Sequence, residues 1–146
     1  MVDMQIEAHI PEGYIDDLQS RLEVYRRIAD IRNDEDASDV IDELIDRFGP
    51  PPEAVMGLIH IAELRNRAAA LGITEAVQRS ENLLLYHPAP DVSLVLKLAD
   101  QMKGRILLNA GNKPYISVKL IKTQTPMKAL ESVLTAMEKL TVEEKE

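Results

Sequence analysis

A glycine followed by three prolines, Gly49 to Pro52, is the feature that most limits how this chain can fold. Proline lacks a backbone N–H donor, and its ring clashes with the preceding turn, so no helix runs through three of them. Glycine readily takes the left-handed conformation that ends a helix. The segment ASDVIDELIDRF, residues 37–48, is therefore predicted to form one helix, and a second is predicted from Glu53 to Leu71.

The predicted helix 37–48 has two contrasting faces, because successive residues are rotated by about 100°. One face is apolar and is expected to be buried: Ala37, Val40, Ile41, Leu44, Ile45 and Phe48. The opposite face is acidic: Asp39, Asp42, Glu43 and Asp46. Like charges three and four residues apart destabilise a helix by roughly 0.2–0.5 kcal/mol per pair. Only Arg47 is expected near these acids, so the face is predicted to bind a partner rich in arginine or lysine.

The residues before position 37 predict one strand and one helix. VDMQIEAHI, residues 2–10, alternates apolar and polar side chains, as a half-buried strand does. The next segment has helical spacing, with one stripe expected to be buried: Ile15, Leu18, Leu22, Tyr25 and Ala29.

The second half predicts two β-hairpins and two helices. Residues 75–87 form the first hairpin, and RILLN and YISVKLI flank the turn AGNK in the second. Asp91 is a candidate cap for one helix, and Thr125 with Pro126 begins the last. The order β-ααα-ββ-α-ββ-α defines an α+β fold: an N-terminal strand and three-helix cluster, then two hairpins with an interleaved and a C-terminal helix. Residues 1–146 are predicted to be a single, monomeric domain, cut from a longer chain.

The net negative charge of the chain comes entirely from the first part of the sequence. Residues 1–55 hold 15 Asp or Glu against five Arg, a balance of −10, and residues 56–146 hold 12 Lys or Arg against 10 acids, a balance of +2. Such asymmetry indicates an electrostatically directed partner surface. An acidic face repels phosphate, and aromatic residues are only 3% of the chain, so no direct nucleic-acid partner is expected.

Catalytic and metal-binding motifs are not found. His9, His60 and His87 lie far apart and lack the spacing of metal ligands, so no metal site and no cofactor are expected. Neither a nucleotide-binding loop nor a catalytic nucleophile motif occurs, and a non-catalytic domain is predicted. The chain has no cysteine and no apolar run near 20 residues, so a cytoplasmic location and no membrane partner are expected.

Three strings, YIDDLQSRLEVYRRIA, ELIDRFGPPPEAV and LIHIAELRNRAAALGI, resemble the C-terminal domain of the bacterial transcription-repair coupling factor family (Mfd) in order and spacing. The resemblance implies a regulatory, autoinhibitory domain of an ATP-dependent DNA translocase that acts in nucleotide excision repair. In that family this domain packs on the N-terminal UvrB-like module, masks the surface that recruits UvrA and restrains the motor. Partners would then be a basic surface of that module and, indirectly, UvrA and RNA polymerase.

The resemblance also implies roles for individual residues. Glu43 and Asp46 match acidic positions that face arginines of the N-terminal module. Phe48 and Gly49 match structural positions, where Phe48 closes the apolar stripe and Gly49 ends the helix. From residue 75 onward the match is in pattern only.

Other functions stay open at this point. The acidic face is also compatible with a solvated surface, or with a small free-standing enzyme or metal-binding domain that uses it to hold Mg²⁺. A nucleic-acid-binding role for Lys119, Lys122 and Lys128 is disfavoured, because the second part carries a balance of only +2 (12 basic against 10 acidic residues).

Overall fold

The computed structural model describes the backbone of residues 2–3 and 8–145, and the side chains of residues 8–143. Its elements are β1 (Val2–Asp3), α1 (Leu18–Ala29), α2 (Asp34–Phe48), α3 (Glu53–Ala70), β2 (Glu75–Arg79), β3 (Asn82–Tyr86), α4 (Val92–Gln101), β4 (Ile106–Asn109), β5 (Tyr115–Lys119) and α5 (Pro126–Lys145). This order confirms the predicted α+β fold. In the predicted N-terminal strand, residues 4–7 lie outside the described part, and residues 8–10 have no regular secondary structure.

The chain divides into two compact units. The helical unit is Glu7–Asn66, and the sheet unit is Met1–Ile6 with Arg67–Glu146. The prediction of a single domain over residues 1–146 stays a prediction. No helix in the described part of the chain is long and apolar enough to cross a bilayer.

The buried face of α1 differs from the predicted one. Val24 and Ile28 are its buried residues, whereas Leu18 is 61% and Leu22 is 48% exposed. The predicted burial of Ile15 is confirmed, since it is 2% exposed, but the rest of the stripe was wrong because the prediction counted helical steps from Ile15. That residue precedes the N-cap Asp17, whose backbone is extended, so the helical phase begins only after it.

Helix α2 buries the expected apolar face, with one exception. Ala37, Val40 and Leu44 are buried in the core of the helical unit, and Ile41 and Phe48 pack against that core. Ile45 is 48% exposed, so its predicted burial was wrong. At 100° per residue Ile45 lies a quarter turn from Leu44, at the edge of the apolar face rather than within it.

The sheet of the sheet unit has the strand order β1-β2-β3-β5-β4. Strand β1 pairs with β2 in parallel, and the pairs β2–β3, β3–β5 and β4–β5 are antiparallel. One face is buried through Ala76, Leu83, Leu85, Ile106, Ile116 and Val118. The alternate positions of β2 to β5 lie on the opposite side, where Val77 of β2 is buried at 2% exposed. The other members of that side form what we call the open face: Glu75, Arg79, Asn82, Leu84, Tyr86, Leu107, Asn109, Tyr115, Ser117 and Lys119.

The predicted starts of the last two helices are confirmed. The Asp91 carboxylate accepts a hydrogen bond from the Leu94 amide at 3.3 Å, as an N-cap does. The Thr125 hydroxyl accepts one from the Lys128 amide at 3.2 Å, and α5 begins at Pro126. These helices supply further buried residues to the sheet unit, among them Leu98, Leu130 and Leu134.

A candidate docking face on helix α2

Three of the four predicted docking carboxylates form one exposed stripe along α2. Asp39, Asp42 and Asp46 are exposed, and they lie opposite Leu44, which is 1% exposed. None of the three forms an ion pair with a cation in the part of the chain that the structure describes. The stripe is therefore negatively charged, solvated and open to a partner.

Glu35 is a further member of this stripe that the sequence prediction missed. It is exposed and lies four residues before Asp39, so it projects from the same side of the helix. The prediction began the helix at Ala37, but α2 begins at Asp34, with Asn33 as its N-cap. The Asn33 side chain accepts a hydrogen bond from the Asp36 amide at 2.8 Å. The sequence NDED contained this signal, because Asn33 is itself a strong cap residue. We call Glu35, Asp39, Asp42 and Asp46 the acidic stripe.

Glu43 has a different environment from the acidic stripe. Its carboxylate binds the Arg27 guanidinium of α1 at 2.5 Å, and its side chain is 33% exposed. The expectation that only Arg47 lies near the acids was therefore wrong. Arg47 itself contacts Glu23 of α1 at 4.0 Å. Two ion pairs thus connect α1 to the side of α2, and Glu43 belongs to that contact.

The C-terminal end of α2 is held by Tyr14. The Tyr14 hydroxyl donates to the Gly49 carbonyl oxygen at 2.7 Å and lies 3.3 Å from the Leu44 carbonyl oxygen. The rings of Tyr14 and Phe48 are 5.9 Å apart between centroids, and the Arg47 guanidinium lies 4.8 Å from the Phe48 ring. Burial raises the pKa of Tyr14 above its ordinary value of 10.0, so the hydroxyl keeps its proton and donates.

Gly49 ends α2 with a backbone conformation that excludes other residues. Its φ is 87° and its ψ is −177°. The φ is positive, as predicted, but the ψ places it outside the left-handed helical region, in a region that is essentially limited to glycine. Because α2 ends at Phe48, the acidic stripe ends at Asp46.

The electrostatics of α2 are uneven along its length. Asp34, Glu35 and Asp36 occupy the first turn, where the helix dipole favours negative charge. Asp46 lies in the last turn, where the same dipole disfavours it. Among the described residues no three His, Cys, Asp or Glu side chains converge as metal ligands. The chemistry that this convex surface offers is ion pairing with cationic side chains.

The fold matches that of a known class of repair-associated domain. A crystal structure of the C-terminal domain of transcription-repair coupling factor superposes on all of this chain and on 95% of the solved chain, with a TM-score of 0.80. The sequence identity is 21%, so this likeness shows the fold alone.

The family follows from the sequence comparison. The model of the TRCF domain family matches residues 4–94, and the chain belongs to that family. The transcription-repair-coupling factor of Staphylococcus haemolyticus is 29% identical over 106 residues, which is 73% of this chain and 8% of that protein. The one from Mycobacterium bovis is 39% identical over 79 residues, which is 54% of this chain and 6% of that protein. This chain therefore spans less than a tenth of the curated relatives it matches, and the suspected family is confirmed.

Proposed function

We propose that this chain is a non-catalytic docking and regulatory domain of a larger transcription-repair coupling factor. In this proposal the acidic stripe packs on a basic surface of the N-terminal UvrB-like module of the same parent chain. Docking masks the surface that recruits UvrA and restrains the motor, and the parent acts in the cytoplasm as an ATP-dependent DNA translocase. RNA polymerase acts on the domain only indirectly, through the parent.

The observation that carries the proposal is the exposed stripe of carboxylates opposite a buried leucine, none of which forms an ion pair with another described residue. Asp39, Asp42 and Asp46 are exposed, and each lies three or four residues from the next, where like charges repel. A cationic partner bound to this face would offset that repulsion. The family match supports the same reading, because residues 4–94 include the whole of α2.

Glu43 has a smaller role in this proposal than Asp46. Because Arg27 already neutralises Glu43 within the domain, a partner arginine would have to share or displace that ion pair. We therefore place the principal docking contacts on Asp42 and Asp46, with Asp39 and Glu35 extending the surface and Glu43 at its edge. Phe48 and Gly49 keep a structural role, since they fix the end of the helix that presents these groups.

The alternative of a free-standing enzyme or metal-binding domain is not favoured. The carboxylates of the acidic stripe lie on the outside of a helix, whereas catalytic and ligand sites are usually concave. A melting curve measured with added Mg²⁺ separates the two functions, because a specific ligand raises the melting temperature with its concentration.

The proposal is tested by calorimetric titration of this 146-residue chain with the separately expressed N-terminal module of its parent. The variant is Asp42→Arg with Asp46→Arg, and the charge-matched control is Asp100→Arg with Glu143→Arg, two exposed acids of the sheet unit. We expect wild type and control to bind alike and the stripe variant to bind at least about tenfold more weakly, since disrupting a desolvated interfacial charge pair costs about 2–5 kcal/mol. Equal weakening by both variants would refute the assignment of this face.

A further inference from the structure

The open face of the sheet unit is a second surface with a defined chemistry. Its residues form three rows across the strands. One end row is cationic and polar, with Arg79, Asn82 and Lys119 in register. The middle row includes Leu84 and Leu107, of which Leu107 is 71% exposed.

The other end row carries two tyrosines side by side. Tyr86 of β3 pairs with Tyr115 of β5, and their ring centroids are 5.4 Å apart with a tilt of 59°. The Asn109 side-chain amide donates to the Tyr115 hydroxyl at 3.0 Å. The Lys113 ammonium lies 4.3 Å from the centre of the Tyr86 ring. Half of the four tyrosines in the chain therefore lie together on one sheet face.

Apart from Arg79, the cations near this face belong to a long stretch without acids. Residues 103–128 contain six Lys or Arg and no Asp or Glu. Lys119 and Lys122 are exposed, and neither forms an ion pair within the described residues. Two carboxylates lie nearby. Glu75 is neutralised by Lys113 at 3.2 Å, and Glu81 lines the same surface depression as Lys119 and Lys122.

We propose that the open face binds single-stranded DNA rich in thymine. Phosphates would lie along Arg79, Lys119 and Lys122, while bases would stack on Tyr115 and Tyr86. Aromatic rings on a sheet with cations at its edge are the combination that holds single strands. The end rows lie four residue steps apart along β3, about 13 Å at about 3.3 Å per residue, a distance that a few nucleotides of a single strand can span.

The apolar residues of the middle row favour thymine among the bases. Leu84 and Leu107 offer apolar contact between the cationic row and the tyrosines, and the thymine methyl group is the apolar feature that uracil lacks. The sequence-based expectation of no nucleic-acid partner rested on a balance of +2 averaged over residues 56–146 (12 basic against 10 acidic). The fold instead gathers several of those cations at one face. This inference goes beyond the docking role of α2 and does not depend on it.

The test is fluorescence anisotropy of labelled oligo(dT) of about 20 nucleotides with the 146-residue chain at low salt. Lys119→Glu removes a face cation, and Lys139→Glu removes an exposed cation of α5 as the charge-matched control. Tyr115→Leu removes a face ring, and Tyr25→Leu removes a ring in the helical unit as its control. Circular dichroism of each variant checks that it is folded.

We expect both face variants to weaken binding about tenfold and both controls to change it less than about twofold, since stacking and phosphate contacts are local. Oligo(rU) of the same length should bind more weakly than oligo(dT), and polyglutamate should not compete. Equal effects of Lys119→Glu and Lys139→Glu would overturn the proposal, because binding would then follow net charge alone. Equal affinity for oligo(rU) would contradict the choice of DNA, and efficient competition by polyglutamate would assign the face to an acidic protein instead.

Discussion

Arg27 of α1 binds Glu43 of α2 across the helix pair, with 2.5 Å between guanidinium nitrogen and carboxylate oxygen. The four carboxylates predicted to face a partner are therefore not equivalent. Glu43 stabilises the packing of its own unit, whereas Asp42 and Asp46 on the neighbouring side are exposed and unpaired among the described residues. Substitutions at these positions should separate a structural effect from a docking effect.

Charge reversal at Glu43 and at Asp46 should change stability in opposite directions. Glu43→Arg loses the ion pair and places a second cation beside Arg27, so we expect the free energy of unfolding to fall by about 1 kcal/mol, discounted for partial exposure. Asp46→Arg removes an unfavourable charge from the last helical turn and should raise the free energy of unfolding by roughly a few tenths of a kcal/mol. Urea denaturation measures both, and equal effects of the two would contradict the distinction.

Loss of the Tyr14 hydroxyl should destabilise the end of α2. Tyr14→Phe keeps the ring contact with Phe48 but removes the hydrogen bond to the Gly49 carbonyl, 2.7 Å long. We expect a cost of about 1 kcal/mol in the free energy of unfolding at neutral pH. A thermal melt of the two proteins gives the difference, and an unchanged melting temperature would mean that the bond contributes nothing net.

The same tyrosine predicts a pH dependence. Burial raises the pKa of Tyr14 in the folded protein above its ordinary value of 10.0, so above about pH 10 the unfolded chain loses this proton first. Because the folded state then binds more protons, stability falls as the pH rises through that range. Wild type should therefore lose stability above about pH 10 more steeply than Tyr14→Phe, whereas below about pH 9 their difference should be constant. Denaturation series over this pH range measure both.

Substitution of Gly49 should be costly for backbone reasons alone. An added Cβ meets no atom within 4 Å, but the φ of +87° is unfavourable for any L side chain. Gly49→Ala should cost about 1–3 kcal/mol. Gly13→Ala is the matched control, because its Cβ is equally free and no positive φ occurs there. Equal melting temperatures for the two variants would contradict the strained conformation.

The burial of residues on α1 predicts mutational costs in the opposite order from those expected from the sequence spacing. Leu22 is 48% exposed and Ile28 is 5% exposed. Leu22→Ala should therefore cost less than about 1 kcal/mol, whereas Ile28→Ala should cost about 2–5 kcal/mol through the cavity it leaves. Urea denaturation of both variants decides which face of α1 is buried, and the reverse order would restore the face predicted from the sequence.

Helix-capping and helix-breaking residues made the order of the elements predictable from the sequence. Gly49 and the prolines after it separated two helices, and Asp91 and Pro126 marked the starts of two more, because caps and breaks act locally. The burial of α1 was not predictable in this way. Apolar residues lie on both sides of that helix, and the choice between Leu22 and Val24 depends on packing that local spacing does not contain.

The docking face was predictable as a charge pattern but not in its detail. The acids and the helical period place Asp39, Asp42 and Asp46 together without knowledge of the fold. The pairing of Glu43 with Arg27 joins residues 16 positions apart, and it depends on how α1 crosses α2. The open face depends on the register of three antiparallel strand pairs, so the meeting of Tyr86 with Tyr115 required the structure.

Release of a masked surface is the central claim of the docking proposal, and one measurement tests it most directly. The affinity of the full-length parent for UvrA should be measured at matched salt for wild type and for Asp42→Arg with Asp46→Arg. If the acidic stripe holds the domain on the N-terminal module, the variant shifts the parent toward the undocked state and binds UvrA more tightly. The largest possible gain in affinity equals the factor by which docking lowers the population of the undocked state in wild type. Equal affinities, with the variant as stable as wild type, would contradict the claim and leave the acidic stripe as a solvated helix surface.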